Sequence, residues 1–178
     1  MKEIYEIQSQ FLSKVLVTEA SRGYHFGRYN FPVDLDSGFD QQRLKSAAWC
    51  VVEEIQEFKL ALQEDDINLA KEEIVDVVCF AVNLGLMTNL YAGAIPGGRG
   101  GDLDTAIYYL GLAMNELKNR PHRASFTPTQ RGKFNNNMVL FLGYVFAAAE
   151  YYCGGAQELL DVYQKKAQVN RERQTNGY

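Results

Sequence analysis

Apolar residues recur along most of this chain at intervals of three and four positions, which is the spacing of one helix face. The segment 41–63 is typical, and its apolar stripe consists of Leu44, Ala48, Val51, Ile55, Phe58 and Leu62. No run of alternating apolar and polar residues stands between hairpin turns, as an amphipathic strand requires. The pattern therefore predicts an all-α protein.

Cap and turn residues divide the helical pattern into five to six segments. We expect helices over about 3–19, 41–63, 66–91 and 129–152, a fourth helix between Asp102 and Pro121, and a short sixth helix before a basic tail. Asp40 and Asp102 are the predicted N-caps of the second and fourth helices, since a carboxylate accepts hydrogen bonds from the first free backbone N–H groups. The expected fold is a helical bundle with a four-helix core.

Length and composition indicate a single domain over residues 1–178, because no linker-like stretch divides the chain. The net charge of −4 provides no general basic surface, so we expect no stable nucleic-acid binding. The cysteines Cys50, Cys79 and Cys153 lie far apart in apolar segments and are expected to be small core residues. The first ten residues include acidic side chains and no apolar run, unlike a secretory signal, so we expect a cytoplasmic protein.

One uncharged stretch, 77–98, is nearly long enough to span a bilayer. Asn83 and Pro96 interrupt it, and we interpret it as a buried helix of a bundle or a dimer interface, with no membrane contact. The segments 77–95 and 138–149 carry more apolar surface than a small bundle readily hides. We therefore expect a homodimer or a higher homo-oligomer.

Two acidic pairs with the same spacing stand on consecutive predicted helices, Glu54 with Glu57 and Glu73 with Asp76. Residues three apart on a helix lie within roughly 60° of each other, so each pair projects from one face. If the short turn between the helices makes them antiparallel neighbours, the four carboxylates converge and repel each other. Oxygen ligands of this kind suit Mg²⁺ or Mn²⁺. The alternative is a pair of solvated acidic helix faces, which the equal offsets of the two pairs disfavour.

The two histidines and the basic tail restrict further which metal and which ligand the acidic pairs could bind. A di-iron bundle needs Glu-x-x-His motifs, and neither His25 nor His122 has a Glu three residues before it. In the tail, Lys166, Asn170 and Arg173 share one face if the helix continues that far. A cationic face beside an acidic metal cluster suits a metal-bound polyphosphate, whereas a tail standing alone would be a frayed basic terminus.

These motifs together resemble a known family. Glu54-x-x-Glu57 followed by Glu73-x-x-Asp76 resembles the metal motif of the all-α NTP pyrophosphatases, which include MazG-like enzymes and dimeric dUTPases. The tail "KKAQVNRERQTNGY" is similar to the Lys-Asn-x-x-Asn-x-x-Arg-Gln-x-x-Gly-Tyr ending of dimeric dUTPases and phage dCTPase-dUTPases. The resemblance covers the two carboxylate helices and the tail, and it raises the expectation of a phage-encoded protein of the host cytoplasm.

The resemblance implies a Mg²⁺-dependent hydrolysis of a deoxynucleoside triphosphate between the α and β phosphates, which yields a monophosphate and pyrophosphate. It implies that Glu54, Glu57, Glu73 and Asp76 are the metal ligands and that Glu54 and Glu57 are catalytic. The expected substrate-binding residues are Gln8, Asn83, Lys166, Asn170, Arg173 and Tyr178.

Three departures from the family pattern fall on the nucleoside side of the predicted site. Ala167 stands where the family has Asn, Cys79 where a His often follows the last metal ligand, and Leu12 where a polar residue is expected. A pocket without these polar groups would leave part of a uracil edge unpaired. The base is therefore left open between uracil or cytosine, by resemblance, and a purine such as guanine or adenine.

Aromatic residues near the acidic pairs allow two interpretations. Phe80 and Asn83 follow Asp76 by one and two turns and point towards the same edge, where Asn83 is expected to contact the nucleoside and Phe80 to belong to the core. Trp49 either stacks on a base or packs within the protein. A second hypothesis for the whole chain is a non-catalytic nucleotide-binding regulator or scaffold, against which the complete set of four carboxylates argues.

Overall fold

A computed structural model of the chain describes residues 2–21, 31–93, 102–117 and 126–175, without the side chains of 16–21 and 174–175. These ranges contain six helices and no strand, so the all-α prediction is confirmed. The helices are α1 Lys2–Ser21, α2 Gly38–Gln63, α3 Ile67–Thr88, α4 Leu103–Glu116, α5 Pro128–Cys153 and α6 Ala156–Thr175.

The starts of the helices show which predicted caps are right. Asp102 caps α4, where its side chain accepts a hydrogen bond from the Thr105 N–H. The prediction that Asp40 caps the second helix is wrong, because Ser37 takes that position and accepts from the Asp40 N–H. The Asp40 carboxylate instead accepts from the backbone of Asp34 and from the Arg43 guanidinium. Ser37, three positions before Asp40, is therefore the N-cap of α2.

Two helix ends also differ from the prediction. The third helix ends at Thr88 and not near 91, because Asn89 adopts a left-handed conformation at a φ of 56° and closes the helix. The sixth helix is not short but spans 20 residues. Only a narrow stripe of it, with Leu159, Tyr163 and Ala167, is buried, so its sequence shows little apolar periodicity.

The helices pack as two hairpins and a covering pair. α2 packs along α3 and α4 along α5, the two hairpins meet where α3 contacts α5 and α2 contacts α4, and α1 and α6 pack against each other and against α3. Only the three residues 64–66 join α2 to α3, which makes these two helices antiparallel neighbours. The acidic pairs therefore stand on adjacent helices.

The uncharged segment 138–149 is largely buried inside one chain, whereas the described part of 77–95 also contains half-buried positions such as Phe80 and Leu86. The residues of α5 that lie within the stretch 138–149 and are buried are Met138, Phe141, Leu142, Gly143, Val145, Phe146, Ala148 and Ala149. Their apolar surface therefore no longer argues for an oligomer, and the homodimer stays a prediction. Within the described ranges no single helix has the length and hydropathy of a membrane span, although α5 and the Ala156–Arg173 part of α6 pass that test jointly across a 93° bend.

The contact between α1 and the end of α3 requires a glycine. A Cβ at Gly85 would lie 2.8 Å from the Leu90 carbonyl oxygen and 2.9 Å from Tyr5 Cε1. We expect Gly85→Ala to lower the free energy of unfolding by about 1–3 kcal/mol, because the backbone must shift to admit the methyl group. Gly111→Ala is the control, since nothing lies within 4 Å of its Cβ, and it should stabilise α4 by up to about 1 kcal/mol. Urea unfolding measures both, and equal stabilities would contradict the packing.

Candidate functional site

Three of the four predicted carboxylates meet where α2 and α3 face each other. Glu54, Glu57 and Glu73 each place a carboxylate oxygen so that all three oxygens lie within 4.8 Å of one another. Glu54 and Glu73 are half-buried, and Glu57 is exposed. The predicted convergence is thus found for these three residues, and we call them the carboxylate cluster.

The fourth carboxylate, Asp76, is not part of this cluster. Its Oδ2 accepts a hydrogen bond from Lys166 Nζ at 2.6 Å, and both side chains are largely buried. Asp76 therefore pairs with Lys166 of α6 and does not join the three oxygens of the carboxylate cluster. Asp76 still lies close enough to Glu54 and Glu73 for its negative charge to act on both.

The carboxylate cluster and Asp76 bring several carboxyl groups together in a partly buried site. Burial, followed by the charges of Asp76, Glu57 and Glu73, raises the pKa of Glu54 from an ordinary 4.5 to about 7. Burial is also the main cause that raises the pKa of Glu73 and of Asp76, and for Asp76 it outweighs the ion pair with Lys166. Raised pKa values at three neighbouring carboxyl groups show that burial and, after it, mutual repulsion disfavour their ionised forms.

The raised pKa of Glu54 predicts an unusual pH dependence of stability. The folded protein holds the Glu54 proton more tightly than the unfolded chain, so the resulting stabilisation is fully present below about pH 4.5 and is lost as the pH rises through about 7. We expect a loss on the order of 1 kcal/mol between pH 5.5 and 8 in EDTA, after allowance for solvent screening. Thermal unfolding at both pH values measures it. Glu54→Gln should flatten this profile, and a steeper profile would contradict the assignment.

The cationic face predicted for the tail exists as part of α6. Lys166, Asn170 and Arg173 lie on one continuous helix, and the charge of Arg173 reaches Asp76. Burial alone would lower the pKa of Lys166, but its hydrogen bond to Asp76 and the nearby carboxylates raise it, so Lys166 stays an ammonium. Tyr178 lies outside the described residues.

A cavity of about 440 Å³ lies along α2 and α3, and none of the four predicted carboxylates lines it. It is lined by Cys50, which precedes Glu54 by one helical turn, and by Phe80, which follows Asp76 by one turn. Leu12 lines it from α1, and the remaining lining is half apolar and half polar, the polar residues being Gln42, Arg43, Ser46 and Asn83. A cavity that combines apolar lining with a few polar groups is the usual setting for an aromatic ligand.

The residues predicted to contact a nucleoside do not all line the cavity. Asn83 lines the cavity, whereas Gln8 is buried behind it and hydrogen-bonds to Asn83. Phe80 is half-buried, so it packs on the core and also lines the cavity. Trp49 does not pack within the protein, because it is 64% exposed and its Nε1 donates to Glu53 Oε1 at 2.9 Å, so stacking on a base stays a prediction.

Two cysteines and one tyrosine have positions that were not anticipated. Cys153 is buried, as expected of a core residue, but Cys50 and Cys79 are only half-buried. Burial raises the pKa of Cys79 to about 12, so its thiol stays protonated, and it contacts the buried Tyr163 hydroxyl. Tyr163 precedes Lys166 by three positions, and that spacing on α6 was the signal that could have placed it beside the site.

Comparisons with protein-family models, with curated proteins and with solved structures found no match. The functional interpretation therefore rests on the residues and their geometry.

Proposed function

We propose that this protein is a Mg²⁺- or Mn²⁺-dependent deoxynucleoside triphosphate pyrophosphohydrolase of the all-α family that its motifs resemble. The observation that carries the proposal is the meeting of Glu54, Glu57 and Glu73 within 4.8 Å, on the same two helices that line the 440 Å³ cavity. The cluster would hold the phosphates through a cation, and the cavity would take the nucleoside.

The donor set fits a hard divalent cation. Three carboxylate oxygens within reach of one ion, together with raised pKa values at Glu54 and Glu73, are chemically suited to Mg²⁺ or Mn²⁺. When bound, such a cation neutralises phosphate charge and lowers the pKa of a water molecule bound to it. Glu54, Glu57 and Glu73 would hold it, and Asp76 would be the further acidic ligand that the resemblance implies.

The remaining chemistry belongs to side chains of this chain. Glu54 is half-buried within the carboxylate cluster, where a carboxylate can accept the proton of the attacking water as a general base. The water oxygen bonds to the α phosphorus, the bond to the bridging oxygen breaks, and that oxygen leaves on pyrophosphate. Lys166 and Arg173 would bind the leaving phosphates, since a compact ammonium and a bidentate guanidinium both pair with phosphate oxygens.

Incubation with each of dUTP, dCTP, dTTP, dATP and dGTP tests the proposal. The reactions contain Mg²⁺ or Mn²⁺ and water enriched in ¹⁸O. The products are separated by anion exchange, and mass spectrometry measures the ¹⁸O content of each product. We expect a nucleoside monophosphate that carries the ¹⁸O label, and unlabelled pyrophosphate. A diphosphate with free phosphate, or a label in the pyrophosphate, would contradict attack at the α phosphorus.

The second candidate is a nucleotide-binding regulator without turnover. The cavity and the Lys166 ammonium favour it equally, because binding needs a cavity and a cation but no base. Binding of a triphosphate that is never hydrolysed, at any of the metals tested, would favour this function over catalysis. A homodimer in the cytoplasm is expected for either function and stays a prediction.

A further inference from the structure

Asn83 is one of the polar residues that line the cavity, together with Gln42, Arg43 and Ser46, and its amide orientation decides whether it offers a ligand a donor or an acceptor. A primary amide presents an acceptor on one side and donors on the other, so its rotation by half a turn reverses its chemistry. Gln8 Nε2 donates to Asn83 Oδ1 at 2.9 Å. The oxygen of Asn83 is thereby occupied, and within the described part of the chain its Nδ2 has no partner and remains for a ligand.

Gln8 is itself held by a second hydrogen bond. The Tyr163 hydroxyl donates to Gln8 Oε1 at 2.5 Å, and Tyr163 is fully buried on α6. The same hydroxyl contacts the Cys79 thiol, which burial keeps protonated. Tyr163, Gln8 and Asn83 therefore form one hydrogen-bonded row, which we call the amide relay, and the Cys79 thiol lies beside its Tyr163 end.

The hydrogen bonds of the amide relay can run in two donor-to-acceptor directions, and one of these directions gives stronger hydrogen bonds. In the observed direction the Tyr163 hydroxyl donates to an amide oxygen, which is a strong acceptor. In the reversed direction the Gln8 amide donates to Tyr163, whose hydroxyl must then donate to the Cys79 sulfur, which is a weak acceptor. The observed direction is favoured, so the Asn83 NH₂ group points to the cavity.

We propose that Tyr163 and Gln8 are positioning residues that hold the Asn83 amide with its NH₂ group towards the cavity, so that the site selects nucleobases with a carbonyl oxygen at that point. This inference rests on the proposed function, since it assigns the cavity to a nucleobase. An amino group in place of the carbonyl would leave two donors facing each other, or would require the relay to reverse. We expect discrimination of roughly 10- to 100-fold.

Matched substrate pairs test the proposal. dUTP and dCTP differ in having a carbonyl or an amino group on the same ring carbon, as dGTP and dATP do at a larger ring. The measured quantity is the ratio of kcat/KM for the carbonyl substrate to that for the amino substrate. We expect a ratio of roughly 10 to 100 in the pair that the cavity accepts. A ratio near 1, or a preference for the amino member, would overturn the inference while leaving the proposed function intact.

Two variants separate positioning from mere structural support. Tyr163→Phe removes the group that orients Gln8, so kcat/KM should fall for the carbonyl substrate and rise for the amino substrate. A structural defect would lower both values together, and that outcome would refute the relay. Asn83→Asp keeps an acceptor for Gln8 and presents a carboxylate oxygen to the cavity, so at pH 8 the ratio should invert. This second variant decides the matter if Tyr163→Phe does not fold, as judged by circular dichroism.

Failure of catalysis would not leave the relay untested. If no triphosphate is hydrolysed, titration calorimetry with dUMP and dCMP, and with dGMP and dAMP, measures the same preference by affinity. Tighter binding of the carbonyl member, lost in Tyr163→Phe, would support the relay on its own. Absence of binding, or equal affinities, would refute it.

Discussion

Glu54→Gln is expected to lower kcat for triphosphate hydrolysis by about 10³-fold, the middle of the range for loss of a general base. The amide has nearly the shape of the carboxyl group but accepts no proton from water, and it removes one of the three oxygens of the carboxylate cluster as an anionic ligand. The rate of pyrophosphate release under saturating Mg²⁺ and substrate measures the effect. Because α2 is held by its buried stripe, the far-ultraviolet circular dichroism should be nearly unchanged.

The control is Glu53→Gln on the same helix. Glu53 is exposed and points away from the cluster, where its carboxylate accepts a hydrogen bond from Trp49. The control variant loses the same charge and should keep most of the activity. Equal losses in the two variants would show that net charge matters and not the position of Glu54, whereas unaltered turnover in Glu54→Gln would refute the role of base.

The same substitution should also stabilise the protein at pH 8 in EDTA. Glu54 is forced to ionise there among other carboxylates, and a neutral amide removes that repulsion. A variant that is inactive yet more stable would show that the carboxylate is retained at the expense of stability. That combination is expected of a functional group and not of a solvated helix face.

Local pattern sufficed for the helices and for three of the carboxylates. Helical spacing alone puts Glu54 and Glu57 on one face, and the short turn at 64–66 brings Glu73 across from them. Cap chemistry was less decisive, because Ser37 and Asp40 stand three positions apart and both are good N-cap residues. The sequence of α2 does not say which of them the helix uses.

The rest of the site depends on packing between distant parts of the chain. The ion pair of Asp76 with Lys166 joins residues 90 positions apart, and it forms because α6 lies along α3. The cavity requires Leu12 of α1 to face α2, which no periodicity within either helix reveals. Tyr163 was hidden for a similar reason, since a buried tyrosine in an apolar stripe looks like an ordinary core residue.

Lys166→Met is expected to lower kcat/KM for the triphosphate by about 100-fold, the loss of one charge-assisted hydrogen bond to phosphate. The same change should strengthen Mg²⁺ binding when no nucleotide is present. Lys166 Nζ lies 2.6 Å from Asp76 Oδ2, so the ammonium and a cation compete for that carboxylate. Methionine fills much of the volume of lysine without the charge, and it leaves Asp76 available. Titration calorimetry with Mg²⁺ and steady-state kinetics measure the two opposite effects.

Lys165→Met provides the matched control for this prediction. Lys165 is the preceding residue, carries the same charge and is exposed, about 100° around the helix from Lys166. Its loss should leave both Mg²⁺ affinity and kcat/KM within about twofold, as expected for a solvated surface charge.

Weaker Mg²⁺ binding in Lys166→Met would show that Asp76 does not compete for the cation and that Lys166 serves mainly to hold α6 against α3. Stronger binding together with slower turnover would instead show that Lys166 occupies the place of a cation until a nucleotide brings one, and then moves to its phosphates.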